Sequence, residues 1–260
     1  MGESKPKSRI MAAASAGCKQ FDHQKLNGRQ LFKRQLLRRL PHRCRLCGGA
    51  ARGIGLCPHC RADLPWLPAP RCPICALPSE DGQICGACLS HPPAWQCTRS
   101  ALHYDFPVDG LVGALKYRGD LSLAPLLADC LAGVLEGAAV DAILPLPLHP
   151  ARLAARGYNQ AMELARPLAR RFHLPLVHAA VQRVRDTPPQ AGLDRAARLK
   201  NLRGAFLARP ELVSGLRIAV LDDVMTSGAT LGELTRTLKQ AGAVAVECWV
   251  VARALPPGQT

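Results

Sequence analysis

Long apolar runs are missing. No stretch of the 260 residues approaches the roughly 18 consecutive apolar positions of a membrane-spanning helix, so a soluble chain without a transmembrane segment is expected. A nucleoside-triphosphate loop is missing too, because nothing reads GxxxxGK and the lysine that would grip a triphosphate is absent. Acids are scarce: 19 Asp and Glu stand against 34 Lys and Arg, a formal charge of +15. The imbalance is local, since residues 1–45 hold twelve basic residues and two acids. An export leader is poorly supported. Lys5, Lys7 and Arg9 do precede an alanine-rich patch, but it is short and paired cysteines suited to a reducing compartment follow, so a cytoplasmic location is expected. Met1 and Met11 are both candidate starts.

What is present concentrates in residues 217–231, RIAVLDDVMTSGATL. A short apolar run ends in two acids, the pattern of a buried strand whose C-terminal end opens into a cleft. Asp222 and Asp223 stand where acids of doubly wound sheets accept hydrogen bonds from ribose hydroxyls, and adjacent carboxylates can take both hydroxyls of a vicinal diol. Thr226, Ser227, Gly228, Ala229 and Thr230 lead into the helical spacing Leu231, Leu234, Leu238, which fades at Gly242. Small and hydroxylated residues at a helix start make a phosphate cradle. The N–H groups there lack intrahelical partners, the macrodipole is positive at that end, and Gly228 lets an anion approach the backbone. The plainer alternative is a strand–helix turn with capping hydroxyls and two solvated acids.

Eight of the twelve cysteines form one unit twice over. Cys44-x-x-Cys47, nine residues and Cys57-x-x-Cys60 are followed by Cys72-x-x-Cys75, nine residues and Cys85-x-x-Cys88. Four thiolates on two knuckles fit tetrahedral zinc at a closed structural site, so two structural zinc ions are expected. Disulfides suit an oxidising compartment and iron–sulfur clusters use uneven spacings, so both fit less well. Eight thiolates and two Zn²⁺ would bring the folded formal charge to about +11. Cys130 and Cys248 sit in apolar context as core thiols.

Around these centres the chain divides into three parts. Residues 1–43 are a basic extension, partly without fixed structure, in which Phe32, Leu36, Leu37 and Leu40 line one face of an amphipathic helix over 26–40. That helix either docks on the next module or meets nucleic acid or a membrane surface. Residues 44–97 are the double ribbon, and 98–260 an α/β domain. In the α/β domain helices are expected over 108–117, 123–135 and 151–171, and strands over 99–104, 142–144, 176–181 and 243–251. The strand over 142–144 runs into Pro145, Leu146, Pro147, Leu148 and His149, where prolines forbid regular continuation. Arg152 and Arg156 crowd the next helix start, where positive charge opposes the dipole and makes more sense facing an anion. Lys116 and Arg118 either reach an anion or complement a helix C-terminus. Residues 183–201, with Arg183, Thr187, Gln190 and Arg198, form a polar, arginine-rich loop.

The stretch 217–231 resembles the signature of type I phosphoribosyltransferases, which bind phosphoribosyl pyrophosphate (PRPP). The resemblance implies that Asp222 and Asp223 hold the ribose and that Thr226, Ser227, Gly228, Ala229 and Thr230 hold the 5′-phosphate. Pro145 to His149 resembles the pyrophosphate loop, and 183–201 the hood that closes over PRPP, with Lys116 and Arg156 as further basic contacts. Taken in order, the cysteine ribbons, LKYRGD, LPLPLHPARLAARGYNQ, RDTPPQ with Arg198 and Asn201, and LDDVMTSGATL resemble the ComF family over residues 44–231. The basic extension lies outside that match, and Met225-Thr226-Ser227 departs from the valine and two threonines relatives often show. The resemblance implies a type I phosphoribosyltransferase-like α/β fold, a mainly parallel sheet flanked by helices, with an N-terminal double zinc ribbon. It implies PRPP with Mg²⁺ as ligands and a part in natural competence, alongside single-stranded DNA and DNA-uptake proteins. Two functions stay open: a phosphoribosyltransferase with an unassigned acceptor, and a PRPP-sensing, single-stranded-DNA-binding accessory protein without turnover.

Overall fold

The computed structural model describes residues 42–51, 55–186 and 202–256. The expected helix over 26–40, and Thr187, Gln190 and Arg198 of the expected hood, lie outside the described residues.

Each ribbon gathers its four cysteines on two knuckles. In the first, β1 (His42–Arg43) pairs antiparallel with β2 (Ala50–Ala51), and the second knuckle starts the short helix α1 (Pro58–Ala62). Cys57 caps that helix, its Sγ accepting the Cys60 N–H at 3.4 Å, while Pro58 occupies the first turn, where no N–H is needed. The second ribbon repeats the plan, with α2 (Gly86–Ser90) following Cys85.

The rest is doubly wound. In chain order come β3 (Cys97–His103), α3 (Val108–Tyr117), α4 (Leu123–Ala132), β4 (Ala142–Pro145), α5 (Pro150–Arg156), α6 (Gln160–Phe172), β5 (Val181–Arg183), β6 (Phe206–Ala208), β7 (Arg217–Met225), α7 (Ala229–Gln240) and β8 (Ala245–Arg253). Four strands make one parallel sheet in the order β3-β8-β7-β4, and β5 pairs antiparallel with β6 apart from it. A parallel sheet must be covered on both faces, and alternate residues of its strands divide accordingly. Ala219, Leu221, Trp249 and Val251 pack with α3, α4 and α6, while Ile218, Val220, Val246, Cys248 and Val250 pack with Leu231, Leu234 and Leu238 of α7. The ribbons are welded to the β3 edge. Trp66 bridges antiparallel to Leu102, the Leu67 N–H donates to the Ala101 carbonyl at 2.9 Å, and the His103 N–H donates to the Pro65 carbonyl at 2.7 Å.

Several boundaries differ from the sequence reading. β7 does not stop at Leu221 but runs through both acids to Met225, because its pairing with β8 continues to the Met225–Arg253 register. The expected helix over 151–171 is two helices. Gly157, at φ 82°, ends α5 in the left-handed region, and Asn159 starts α6 by accepting the Ala161 N–H at 2.9 Å. α4 ends at Ala132, short of the expected 135. The expected strand over 176–181 reduces to a bridge from Leu176 to Ile143, a 3₁₀ turn over His178–Ala180 and then β5. β3 already begins at Cys97, inside the segment expected to be ribbon, and β8 runs on to Arg253.

Candidate functional site

The C-terminal end of β7 carries the acids. Asp223 is 1% exposed, and its Oδ1 accepts the Val224 N–H at 2.7 Å and faces Lys116 Nζ at 2.9 Å. Its second oxygen, Oδ2, is buried without a hydrogen-bond partner among the described residues. Asp222 is half-buried, and its Oδ1 accepts the Asp223 N–H at 2.8 Å. Burial, and then the charge of Asp223, raise the Asp222 pKa to about 8, with Lys116 opposing the rise. Burial alone would lower the Lys116 pKa; the charges of Asp223 and Asp222 outweigh it and hold the ammonium protonated. Lys116 reaches from the last turn of α3, where its charge also complements the helix C-terminus, to a carboxylate of the chain itself.

The residues of the expected phosphate cradle lie at the junction of β7 and α7. Gly228 is the N-cap of α7 at φ 74°, Ser227 Oγ accepts the Ala229 N–H at 3.4 Å, and the first intrahelical bond runs from the Gly232 N–H to the Gly228 carbonyl at 2.8 Å. The amides of Thr230 and Leu231 precede that bond. A Cβ at Gly228 would stand 2.8 Å from Met225 Cε and 2.9 Å from Trp95 Cη2. The glycine is therefore required by its left-handed backbone and by the side chains packed against it.

The pyrophosphate-loop candidates divide. Pro145 belongs to β4, and Leu146 is buried with its N–H donated to the Leu221 carbonyl at 2.8 Å. Pro147 and Leu148 are partly exposed, and His149 caps α5 by accepting the Ala151 N–H on Nδ1 at 3.3 Å. The Arg156 guanidinium lies over the Tyr117 ring at 5.7 Å and donates to Gln160. Lys116, which pairs with Asp223, lines a cavity of about 350 Å³ together with Tyr117, Arg152, Arg156 and Tyr158. Arg183, expected on the hood, is instead a buried residue at the end of β5 over the Phe206 ring; burial lowers its pKa, and Arg152 adds to this while Asp186 and Asp222 offset it.

Both cysteine clusters fit zinc. Within each the four sulfurs lie within 4.8 Å of one another, and the Cys47–Cys57 and Cys75–Cys85 sulfurs are 3.8 and 3.6 Å apart. Four sulfurs about 2.3 Å from a tetrahedral centre stand roughly 3.8 Å apart. A disulfide would require about 2.05 Å. Cys130 and Cys248 lie outside the clusters as buried thiols, the first pushed up to about 11 and the second well above the usual range, both by burial.

Two residues of this region were not anticipated. Arg253 closes β8 with a buried guanidinium, and Trp95 lies between the second ribbon and α7. The signal for Arg253 was present, since a lone arginine ends the apolar run VVAR, where a buried cation needs several acceptors.

Residues 36–89 match the double zinc ribbon domain family, and residues 159–256 match the phosphoribosyl transferase domain family. The chain is similar to the DNA utilization protein YhgH of Escherichia coli K12, 36% identical over 193 residues that cover 71% of this chain and 84% of that protein. It is 31% identical over 222 residues to competence protein F of Haemophilus influenzae, covering 80% and 90%. To competence protein ComFC of Bacillus subtilis it is 26% identical over 199 residues, covering 73% and 80%. Among the described residues no helix is long and apolar enough to cross a membrane. Identity above 30% over most of YhgH and competence protein F, on a fold that joins two cysteine ribbons to a phosphoribosyltransferase-type sheet, makes this chain a member of the ComF family.

Proposed function

We propose that the chain binds PRPP with Mg²⁺ at the end of β7 and serves the handling of DNA, the role named for its relatives. The observation that carries the ligand is the orphaned Oδ2 of Asp223. A buried carboxylate oxygen without a donor costs about 1–3 kcal/mol, and a ribose hydroxyl would remove that cost. Asp222 beside it offers acceptors for the second hydroxyl of the diol, and Thr226, Ser227, Gly228, Ala229 and Thr230 receive the 5′-phosphate at the start of α7. Pyrophosphate would meet the segment from Pro147 onward, since the Leu146 N–H is already committed to the sheet. Mg²⁺ bound with PRPP supplies neutralisation of the pyrophosphate charge. Lys116 and Arg156 line the neighbouring cavity and add positive charge on that side. Eight cysteines kept as thiolates for zinc belong in a reducing compartment, so the cytoplasm is the proposed location.

The test is calorimetry with PRPP and Mg²⁺ on wild type and on a variant carrying Asp222→Asn and Asp223→Asn. Loss of charge-assisted acceptance should cost about 2–4 kcal/mol, or roughly 30- to 1,000-fold in affinity. Equal affinities, or no wild-type binding, would sink the assignment. Binding without transfer is the second reading, favoured by relatives named for DNA utilization and competence and not for a reaction. Pyrophosphate release across a panel of bases, amines and single-stranded DNA separates the two.

A further inference from the structure

We propose that the second zinc ribbon, and not the first, is a working part of the phosphate site: through Arg253 and Trp95, its Cys72-x-x-Cys75 knuckle fixes the shape of the loop over 225–230.

Arg253 is 5% exposed and spends its guanidinium on backbone carbonyls from two modules. Its Nε donates to the Cys75 carbonyl at 2.9 Å, and its Nη1 donates to the Met225 and Ala254 carbonyls, each at 2.8 Å, and to the Thr226 carbonyl. A guanidinium is a planar, rigid fork that stays charged, so it transmits the position of one set of carbonyls to the other. A zinc ion held by four thiolates keeps net negative charge and so compensates the buried cation.

Trp95 makes the second link. Its indole N–H donates to the Ile74 carbonyl at 2.8 Å, and Thr98 Oγ1 donates to the same carbonyl at 2.7 Å. The far edge of the ring lies against Gly228 and Gly232, where a Cβ would come within 2.9 Å and 3.3 Å of it. Ile74 and Cys75 are neighbours in one cysteine knuckle, and both of their carbonyls are taken by residues that also contact the loop over 225–230. The first ribbon leads elsewhere. Its Arg45 and Arg61 pair with Asp120 and Asp129, and its Cys44, Leu56 and Leu64 pack in the cluster under α3 and α4.

Without metal at the second cluster, four sulfurs lose their common centre and the knuckle loses its fixed backbone. Arg253 and Trp95 then lose their anchors, and the loop loses its floor. Chelation at this one cluster would thereby switch the phosphate site off.

The test compares the zinc-loaded wild type with Cys85→Ser and Cys47→Ser, each assayed for metal content. Hydrogen exchange of the amides over 225–231 is read first, because it needs no ligand. Exchange there should rise about tenfold or more in Cys85→Ser and stay within about twofold in Cys47→Ser, with the amides of β7 over 218–221 unchanged in both. Should Cys85→Ser fail to fold, Arg253→Gln and Trp95→Phe replace it. Each should keep both zinc ions and still raise loop exchange, whereas Arg253→Lys, which retains charge but not the fork, should recover only part of the protection. The ligand arm rests on the proposed PRPP site: affinity for PRPP with Mg²⁺ should fall about tenfold or more with Cys85→Ser and hold with Cys47→Ser. A wild type that binds no PRPP would defeat the functional reading alone, since exchange still decides the coupling. Equal loop exchange in Cys85→Ser and Cys47→Ser, or wild-type exchange in Arg253→Gln and Trp95→Phe with both zinc ions bound, would overturn it.

Discussion

At the scale of single residues, Asp222 pulls folding and binding in opposite directions. Its pKa rises from an unfolded value of about 3.9 to about 8 on folding. A group raised in the folded state contributes stability that is fully present below the unfolded value and is lost as pH climbs through the folded one. Ionised Asp222 is therefore a burden on the fold above pH about 8, yet it is the ionised form that accepts best from ribose hydroxyls. Asp222→Asn should raise the thermal midpoint at pH 8.5, by the equivalent of roughly 1–2 kcal/mol after solvent screening of a half-buried group, with the gain shrinking toward pH 4. Wild-type affinity for PRPP should climb only as pH approaches and passes about 8, where folded Asp222 ionises. Melting curves and calorimetry at four or five pH values check both, and a pH-independent difference between the proteins would contradict the account. Lys116 answers the other carboxylate. Lys116→Met strands a buried charge on Asp223 and should cost about 3 kcal/mol, most of it recovered when Asp223→Asn is added. A denaturant-unfolding double-mutant cycle measures that coupling.

At the scale of elements, what was legible in the sequence was what local chemistry decides. The cysteine spacing gave both metal clusters, and the apolar run before Asp222 with the leucine spacing after Thr230 gave the strand and helix that hold the proposed site. Other boundaries depended on partners that periodicity does not contain. β7 runs through both acids because β8 continues beside it, and Gly157 and Asn159 cut one apolar rhythm into two helices because a C-terminal and an N-terminal cap stand two residues apart. Trp95 was beyond reach for the same reason, and for Lys116, Arg183 and Arg253 the sequence offers the residue but not its contacts with residues distant along the chain. Gly228 belongs to both classes. Gly228→Val would force a β-branched residue into a left-handed position against Met225 and Trp95, and should cost about 2–4 kcal/mol of stability as well as phosphate binding. Metal content is the discriminating measurement: zinc should stay at two per chain, while Cys44→Ser should lower it by about one ion, because the two clusters share no ligand.

At the scale of the whole molecule, charge and site are separated along the chain, and this fixes what a DNA-binding experiment should find. The formal charge is +15, but residues 1–40 hold ten of the basic residues against two acids. The zinc clusters lower the charge of the remainder further, since each keeps net negative charge. In the reading that the chain binds single-stranded DNA, that binding should therefore depend on the extension and the ribbons more than on the acids of β7, which would repel phosphate. A chain that engages about five phosphates should show a log–log salt slope near −3.5 on single strands. Deletion should stop before the first cluster, starting the chain at Pro41, because removing Cys44 would confound charge with zinc loss. That truncation should weaken binding at least tenfold near 50 mM salt and flatten the slope by two units or more, while PRPP affinity and zinc content stay at wild-type values. The double variant Asp222→Asn with Asp223→Asn should do the reverse, keeping DNA affinity and losing PRPP. Fluorescence anisotropy with a labelled oligonucleotide at several salt concentrations reads the first pair of outcomes. Unchanged affinity and slope after the deletion would move DNA recognition off the extension and onto the described residues, where Lys116, Arg152 and Arg156 line a basic cavity with two tyrosines.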